Sequence, residues 1–354
     1  MHAYTHLFML GFILIRPSRI VALAVVLTAF AVVPAHSMVI NLIPGPTLQS
    51  NTAALAAFQN AANSWAVLFS DPITVNINAD LSSAFGNPSI IGSTSSVLLI
   101  GGYDTIRDAM VADSIGQPDK AIMASLPTAA QFSTFLPSGF GLTGGIVLTK
   151  ADAKALGFTG LDGAFGARDA TITFNSNFNF YYGAGAFGSG QVDFQTVATH
   201  EIGHALGFVS SVDDADADLH GGITENLAPT PLDLYRFDSA HLPTDASSFT
   251  NNPRSLMPGA TAYFSDTLNV YSLSTGFYTG DGRQASHWKD DSLTGTFIGI
   301  MDPTLASNTI EPITSADTRA MELIGYDLAP EPRTFALMAG ALAMVIAAAR
   351  KRLQ

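Results

Sequence analysis

The sequence His-Glu-Ile-Gly-His at residues 200–204 constrains the fold of this 354-residue chain more than any other segment. Two histidines four residues apart lie one turn apart on the same face of an α-helix, so His200 and His204 can present their imidazoles to one metal ion. Glu201 is close enough to hydrogen-bond a water at that ion without binding the ion itself. Neutral imidazoles suit Zn²⁺, so the segment predicts a helix that carries two zinc ligands and a general base.

The spacing of apolar residues predicts an α+β arrangement before this helix. Steps of three and four predict an amphipathic helix over residues 51–69. Alternation with a period of two predicts strands at 73–79 and 170–176, and the segment 146–149 looks like a further strand. If the strand at 170–176 lies at a sheet edge, an extended peptide can pair with it. Asp193 can cap the metal-binding helix, which we expect to end near Gly207.

The first 37 residues have the layout of a secretory signal peptide. Two arginines precede an apolar run over residues 20–33, and the small residues Ala35 and Ser37 form a cleavage site after it. We therefore expect an exported protein whose mature body begins at residue 38.

The last residues, 329–354, combine three elements in a fixed order. Pro-Glu-Pro at 330–332 is followed by an uncharged apolar stretch over 334–349 and a basic cluster at 350–352. This order resembles the PEP-CTERM sorting signal of Gram-negative bacteria, which an exosortase recognises. The resemblance implies transient membrane anchoring, processing by signal peptidase and exosortase, and a final location at the cell surface or in the extracellular matrix.

Between these segments, residues 38–328 contain no internal repeat and no long linker, so we interpret them as one domain. Its first half, 38–208, holds the predicted sheet and the metal-binding helix. Its second half, 209–328, is rich in Pro, Gly, Asp and Ser and is expected to be mostly irregular. A capping box of Thr314 and Asp317 predicts one short helix near its end.

The amino-acid composition excludes sites that depend on cysteine and argues against a nucleic-acid-binding surface. The chain contains no cysteine, so it has neither disulfides nor thiolate zinc ligands, although export would favour disulfides. The formal net charge of -13 argues against binding to nucleic acid, because nucleic-acid-binding proteins normally present a basic face.

A catalytic zinc site needs a third protein ligand. In the compact pattern HExxHxxGxxH, Gly207 would turn the chain and the ligand would follow three residues later, but that residue is Ser210, a poor zinc ligand. The histidines that remain in the mature body are His220, His241 and His287. Glu225 is an acidic alternative, although the prolines after it leave it without a rigid helical mount.

Two interpretations fit the acidic run formed by Asp213, Asp214, Asp216 and Asp218. Such a run is typical of a solvated loop, and it is also a candidate Ca²⁺ site. It lacks the glycine and the distal glutamate of an EF-hand loop, which favours the solvated loop.

The surroundings of His287 resemble the leishmanolysin-like branch of the metzincins. In that family two histidines lie in the motif HExxHxxGF, the third lies in a distant Ser-His segment after a long insertion, and a methionine turn and a short final helix follow. The chain matches this pattern at residues 200–208, at Ser286 and His287, at Met301 before Pro303, and at the helix predicted over 316–324 and ended by Gly325. The chain departs from leishmanolysin in lacking its cysteines, so activation by a cysteine switch is not carried over.

The resemblance implies a zincin or metzincin-like fold and a zinc-dependent endopeptidase that acts on proteins or peptides. His200, His204 and His287 would bind zinc, Met301 would form a hydrophobic floor beneath the metal, and Glu201 would act as general base toward a zinc-activated water. The alternative is a catalytically inactive surface or matrix protein stabilised by zinc or calcium. Glu201 counts against that alternative, because a structural site has no use for a base.

Overall fold

A mixed four-stranded sheet and two helices that pack on it form the centre of the first half.

The computed structural model describes residues 38–330. In this part of the chain the α-helices are α1 (Pro46–Ser50), α2 (Thr52–Ala66), α3 (Tyr103–Asp113), α4 (Lys150–Ala155), α5 (Leu161–Phe165), α6 (Phe194–Leu206), α7 (Val212–Gly221), α8 (Ala246–Asn251), α9 (Asp291–Thr294) and α10 (Ser315–Ile324). The 3-10 helices are Pro118–Ser125 and Leu232–Tyr235. The strands are β1 (Val39–Pro44), β2 (Thr74–Ser82), β3 (Gly92–Ser96), β4 (Leu98–Gly102), β5 (Thr134–Phe135), β6 (Gly141–Leu142), β7 (Gly145–Thr149), β8 (Ala170–Asn175), β9 (Phe180–Tyr181), β10 (Val192–Asp193), β11 (Asn226–Leu227), β12 (Arg236–Phe237), β13 (Arg254–Ser255), β14 (Ala262–Ser265) and β15 (Val270–Leu273).

The strands of the main sheet lie in the order β1-β2-β8-β3. The first three are parallel, and β3 runs antiparallel to β8. In β2 the side chains of Val75, Ile77 and Ala79 are buried, whereas those of Asn76 and Asn78 lie on the opposite, partly exposed face. The two-residue period therefore separates an apolar inner face from a polar outer face.

Helices α2 and α6 cover the apolar face of this sheet. Phe58 of α2 packs edge-on against Phe174 of β8, with ring centroids 5.4 Å apart. The indole N–H of Trp65, also in α2, donates a hydrogen bond of 2.8 Å to the carbonyl oxygen of Thr199 in α6. These contacts hold the helix that carries the two histidines against the sheet.

Most elements predicted from residue spacing are confirmed, and the chain is of the mixed α+β class. The predicted helix over 51–69 is α2, the predicted strands are β2, β7 and β8, and the short final helix is α10. Thr314 and Asp317 form the expected capping box at the start of α10.

The strand at 170–176 is an internal strand, so the condition for an extended peptide to pair with it is not met. That strand is β8, which lies between β2 and β3, and β3 is the outer strand on this side of the sheet. The sequence of β3, Gly-Ser-Thr-Ser-Ser, contains no apolar residue, so alternation could not identify it.

The second half is mostly irregular between short elements, as expected, but the acidic run is not a solvated loop. It forms the helix α7, and Val212 and Ala215 on the inner face of this helix are buried. Asp213 and Asp216 lie one turn apart and accept hydrogen bonds from backbone N–H groups of residues 278–286. These partners, which are remote in sequence, satisfy the carboxylates of two of the four aspartates.

The largest buried cluster contains residues from both halves, from Met38 to Tyr326, so the boundary near residue 208 does not interrupt the core. Within residues 38–330, no helix is both long and apolar enough to cross a membrane. The predicted signal peptide over 1–37 lies outside the described residues, as does the predicted sorting signal after residue 330.

Candidate metal centre

Helix α6 carries His200, Glu201 and His204 in its second half. The side chain of Asp193 caps the helix by accepting a 2.6 Å hydrogen bond from the N–H of Thr196. The helix ends at Gly207, whose φ of 130° lies in the region that favours glycine. Gly207 therefore ends the helix as the sequence predicted, and the chain then leads away toward α7.

Three imidazoles, from His200, His204 and His287, converge on one point. The Nε2 atom of His204 lies 3.1 Å from the Nε2 atoms of both His200 and His287, and the last two are 3.2 Å apart. His287 is buried, and the two helix histidines are half-buried. His287, which follows His204 by 83 positions in the sequence, therefore lies beside it in the structure.

The tautomer of each ring follows from the partner of its other nitrogen. Nδ1 of His200 lies 2.8 Å from the carbonyl oxygen of Ile300, Nδ1 of His204 lies 2.8 Å from that of Phe208, and Nδ1 of His287 lies 3.1 Å from that of Gln284. A carbonyl only accepts, so each Nδ1 must carry the proton and donate it. In the neutral rings each Nε2 is then an unprotonated acceptor, and the three close Nε2 atoms cannot hydrogen-bond to one another.

The local environment keeps these rings neutral. Burial lowers the pKa of His200 to about 4, and burial together with repulsion from His200 lowers the pKa of His204 to about 3. Burial and the two neighbouring imidazoles also hold the pKa of His287 well below its ordinary value. Neutral imidazole is the form that binds a metal.

These three residues fit a zinc ion. Three acceptor lone pairs directed at one point repel each other unless a cation lies between them. The nitrogen ligands of a tetrahedral zinc are separated by about 3.3 Å, close to the observed separations. Each Nδ1 proton is held by a carbonyl, which is the usual outer-shell arrangement of a metal-binding histidine. Three protein ligands also leave the fourth position open, as in catalytic zinc sites.

Glu201 is turned toward the outer strand β3. The hydroxyl of Thr94 in β3 donates a 2.6 Å hydrogen bond to Oε2 of Glu201 and lies 2.9 Å from its backbone carbonyl oxygen. A Cβ at Gly92 would lie 2.6 Å from Oε1, so only glycine leaves room for the carboxylate there. Burial raises the pKa of Glu201 to about 7, and the hydrogen bond from Thr94 opposes this shift.

Met301 lies beneath helix α6 and is fully buried. Its side chain contacts the helix at Gly203, one residue before His204. The preceding carbonyl, that of Ile300, holds the ring of His200. The segment around Met301 thus contacts helix α6 at Gly203 and, through the carbonyl oxygen of Ile300, the ring of His200.

The other candidate ligands lie elsewhere. His220 is exposed and stacks on Tyr278, His241 accompanies the carboxylate of Asp238, and Glu225 is exposed between α7 and β11. Ser210 takes no part in the cluster of imidazoles, but its N–H donates a 2.8 Å hydrogen bond to the hydroxyl of Ser286, the residue before His287.

The aspartates of the acidic run do not gather around one point. Among Asp213, Asp214, Asp216 and Asp218, no three bring carboxylate oxygens within 4.8 Å of one another. In the described part of the chain Asp290, Asp291 and Asp302 do so. Arg283 and backbone N–H groups already bind the carboxylates of Asp290 and Asp302.

The contacts of several residues around the three histidines could not be predicted from the sequence. Thr94, Gly203 and Asp213 each act across long sequence separations, so local patterns carry little signal for them. The glycine inside the helical motif was the one available clue, because glycine disfavours a helix interior unless a neighbour needs the space.

Comparison with known families identifies a model that matches part of the chain. A family model described as SPBPB7E8-like matches residues 153–252. This stretch contains α6 with His200, Glu201 and His204, covers under a third of the chain and ends before His287. No curated protein and no solved structure matches the chain.

Proposed function

We propose that the protein is an exported zinc-dependent endopeptidase of the leishmanolysin-like metzincin type. The observation that carries the proposal is the convergence of three Nε2 atoms within 3.2 Å while every Nδ1 is committed to a carbonyl. Such an arrangement is costly without a shared cation, and three neutral imidazoles with an adjacent glutamate are typical of hydrolytic zinc sites.

Two other features support a metzincin-like fold. A buried methionine, Met301, lies beneath the helix that carries the first two histidines. The final helix α10 is joined to this methionine segment, because the carboxylate of Asp317 accepts hydrogen bonds from the N–H groups of Ile300 and Met301. The order of histidine helix, third histidine, methionine and final helix matches the family pattern.

Zinc bound by the three histidines would supply a Lewis acid that polarises a scissile carbonyl and acidifies water. The Glu201 carboxylate would accept the proton of the attacking water and deliver it to the leaving amine. Thr94 orients this carboxylate through its 2.6 Å hydrogen bond. Burial raises the pKa of Glu201 above its ordinary value, which favours a carboxylate that can take up a proton.

The outer strand β3 provides a place for the substrate backbone. Its far edge pairs with no strand of residues 38–330, and its Thr94 contacts the proposed base. An extended peptide that added to this edge as a further strand would lie alongside helix α6. This arrangement favours protein or peptide substrates, and the terminal signals favour their location at the cell surface or in the extracellular matrix.

Zinc content and cleavage of casein by the purified protein test the proposal. We expect His200→Ala, His204→Ala and His287→Ala to lose zinc, and Glu201→Gln to keep zinc but lose cleavage. His241→Ala is the matched control, because it removes a histidine outside the cluster and should keep both properties.

Two outcomes would contradict parts of the proposal. Full zinc occupancy in His287→Ala would exclude His287 as the third ligand. A wild-type protein that binds zinc but cleaves no member of a broad peptide and protein panel would favour the inactive, zinc-stabilised surface protein instead.

A further inference from the structure

We infer that Asp213 is a positioning residue for the third ligand. Its carboxylate holds the backbone of Ala285 and Ser286 and so fixes the direction from which His287 enters the metal centre. This inference rests on the proposed zinc function and goes beyond it, because it assigns a purpose to the acidic helix α7.

The carboxylate of Asp213 accepts three hydrogen bonds from two consecutive residues. The N–H of Ala285 donates to Oδ1 at 2.5 Å, and the N–H of Ser286 donates to Oδ2 at 3.1 Å. The hydroxyl of Ser286 donates to Oδ2 as well. Three bonds to one ionised group define the position of this backbone more closely than any single bond would.

Ala285 is also held from its other side. The guanidinium of Arg236, which is fully buried, donates to the carbonyl oxygen of Ala285 at 3.3 Å and to that of Ser274 at 2.7 Å. The residue two positions before His287 therefore has both of its backbone polar groups bound by charged side chains.

The hydrogen bonds that hold residues 285 and 286 also orient the imidazole of His287. Nδ1 of His287 donates to the carbonyl oxygen of Gln284, the residue just before the two that Asp213 holds. Any movement of residues 284–286 would therefore move both the ring and the acceptor that sets its tautomer. Asp213 contacts neither the ring nor the point on which the imidazoles converge, so it acts through this backbone.

The start of helix α7 is itself held through the short segment that connects it to the end of α6. Asp233 is fully buried and accepts hydrogen bonds from the hydroxyls of Ser210 and Ser211 at 2.6 and 2.7 Å. The N–H of Ser210 donates to the hydroxyl of Ser286. A continuous set of contacts thus leads from the helix that supplies two ligands to the segment that supplies the third.

One turn further along α7, Asp216 extends the contact. Its carboxylate accepts hydrogen bonds from the N–H groups of Tyr278 and Thr279 at 2.7 and 2.8 Å. Two aspartates spaced by three residues on one helix face therefore bind two parts of the loop that leads to His287. This pairing explains why acidic residues occur at these positions in a helix with little apolar character.

The test compares Asp213→Ala and Asp213→Asn with Asp214→Ala in the full chain. Asp214 is the next residue of α7, its side chain is exposed, and it takes no part in these hydrogen bonds. Zinc affinity is measured by competition with a chelator at a temperature where circular dichroism shows every variant folded. Hydrogen exchange of residues 278–288 is measured in the metal-free proteins.

We expect Asp213→Ala to weaken zinc binding by about 10-fold, the lower end of the range for a partner that hydrogen-bonds a ligand directly, because Asp213 acts on His287 only through the backbone. Asp213→Asn keeps one acceptor oxygen and should show a smaller loss. Exchange at Ala285 and Ser286 should accelerate in both variants, and Asp214→Ala should behave as the wild type does. If Asp213→Ala does not fold, Asp213→Asn and Ser286→Ala provide the same comparison.

Equal zinc affinity in Asp213→Asn, Asp213→Ala and Asp214→Ala would overturn the positioning role while leaving the zinc site intact. Faster exchange at residues 285 and 286 without any loss of zinc affinity would overturn the positioning role as well. The hydrogen bonds of Asp213 would then stabilise only the local backbone. A wild-type protein that binds no zinc would instead overturn the proposed function itself.

Discussion

The side chain of Met301 lies so close beneath Gly203 that a Cβ at position 203 would come within 3.0 Å of its Sδ atom. Gly203 is inside helix α6, where glycine costs about 1 kcal/mol relative to alanine. The contact with Met301 explains why glycine occupies this position, because a larger residue would collide with the methionine side chain. The helix and the segment that carries Ile300 and Met301 approach each other as closely as the missing side chain permits.

We therefore expect Gly203→Ala to destabilise the protein by about 1–3 kcal/mol, even though alanine is the better helix former, because the new methyl displaces Met301. Met301→Ala removes the opposing side chain, so the double variant should lose less stability than the two single variants together. Urea denaturation of all four proteins measures this coupling. Additive losses would show that the two residues do not oppose each other.

Asp317 links the final helix to the segment whose carbonyl contacts His200. Its carboxylate accepts hydrogen bonds from the indole N–H of Trp288 at 2.7 Å and from the N–H of Ile300 at 2.8 Å. We expect Asp317→Ala to lower the free energy of unfolding by about 3 kcal/mol or more, because these buried donors would be left without acceptors. Asp214→Ala, at an exposed position, should cost under about 0.5 kcal/mol in the same urea titration.

The carbonyl of Ile300 also holds His200, so Asp317→Ala should weaken zinc binding in addition to stability. Chelator competition at a temperature where the variant remains folded separates the two effects. Unchanged affinity would mean that the methionine segment keeps its place without Asp317.

Local periodicity predicted the elements whose burial follows their own sequence. Helix α2 and strand β2 have apolar residues at regular intervals because one face of each covers the core. The capping box of α10 could be predicted because Thr314 and Asp317 are three residues apart. The histidine pair in α6 could be predicted for the same reason, because His200 and His204 are four residues apart in one helix.

Other parts depend on partners that are remote in sequence. Strand β3 presents Gly92, Thr94 and Ser96 to helix α6, because that side of the helix offers the carboxylate of Glu201 and the carbonyl oxygen of His204 as acceptors. Its pattern is therefore polar on both faces and resembles a loop. The aspartates of α7 likewise find their donors 62 to 73 residues away, which no local pattern records.

Thr94 gives a specific test of the proposed base. We expect Thr94→Val to reduce kcat for peptide cleavage by about 10-fold, because the carboxylate of Glu201 would lose the hydrogen bond to a charged acceptor that orients it. Zinc content should not change, since Thr94 is not among the converging ligands. Thr94→Ser keeps the hydroxyl and should retain most of the activity. A fully active Thr94→Val would show that this orientation is not needed.

The pH dependence of stability can be tested at Asp71, which is distant in sequence from the histidines and 3% exposed. Burial raises its pKa to about 7 from an ordinary value of 3.8, against the opposing hydrogen bond from the N–H of Asp327. The folded state thus favours the protonated form. The contribution of Asp71 to stability is largest below pH 4 and is lost as the pH rises toward 7, by up to about 4 kcal/mol.

Asp71→Asn keeps a neutral side chain at every pH and should therefore lose stability less steeply than the wild type between pH 4 and pH 8. Urea denaturation in the presence of a chelator, at several pH values, measures the difference without a contribution from metal release. Asp108→Asn removes a carboxylate whose side chain is 65% exposed and serves as the control. If the stability difference between wild type and Asp71→Asn is the same at pH 5 and pH 8, burial does not hold the proton on Asp71.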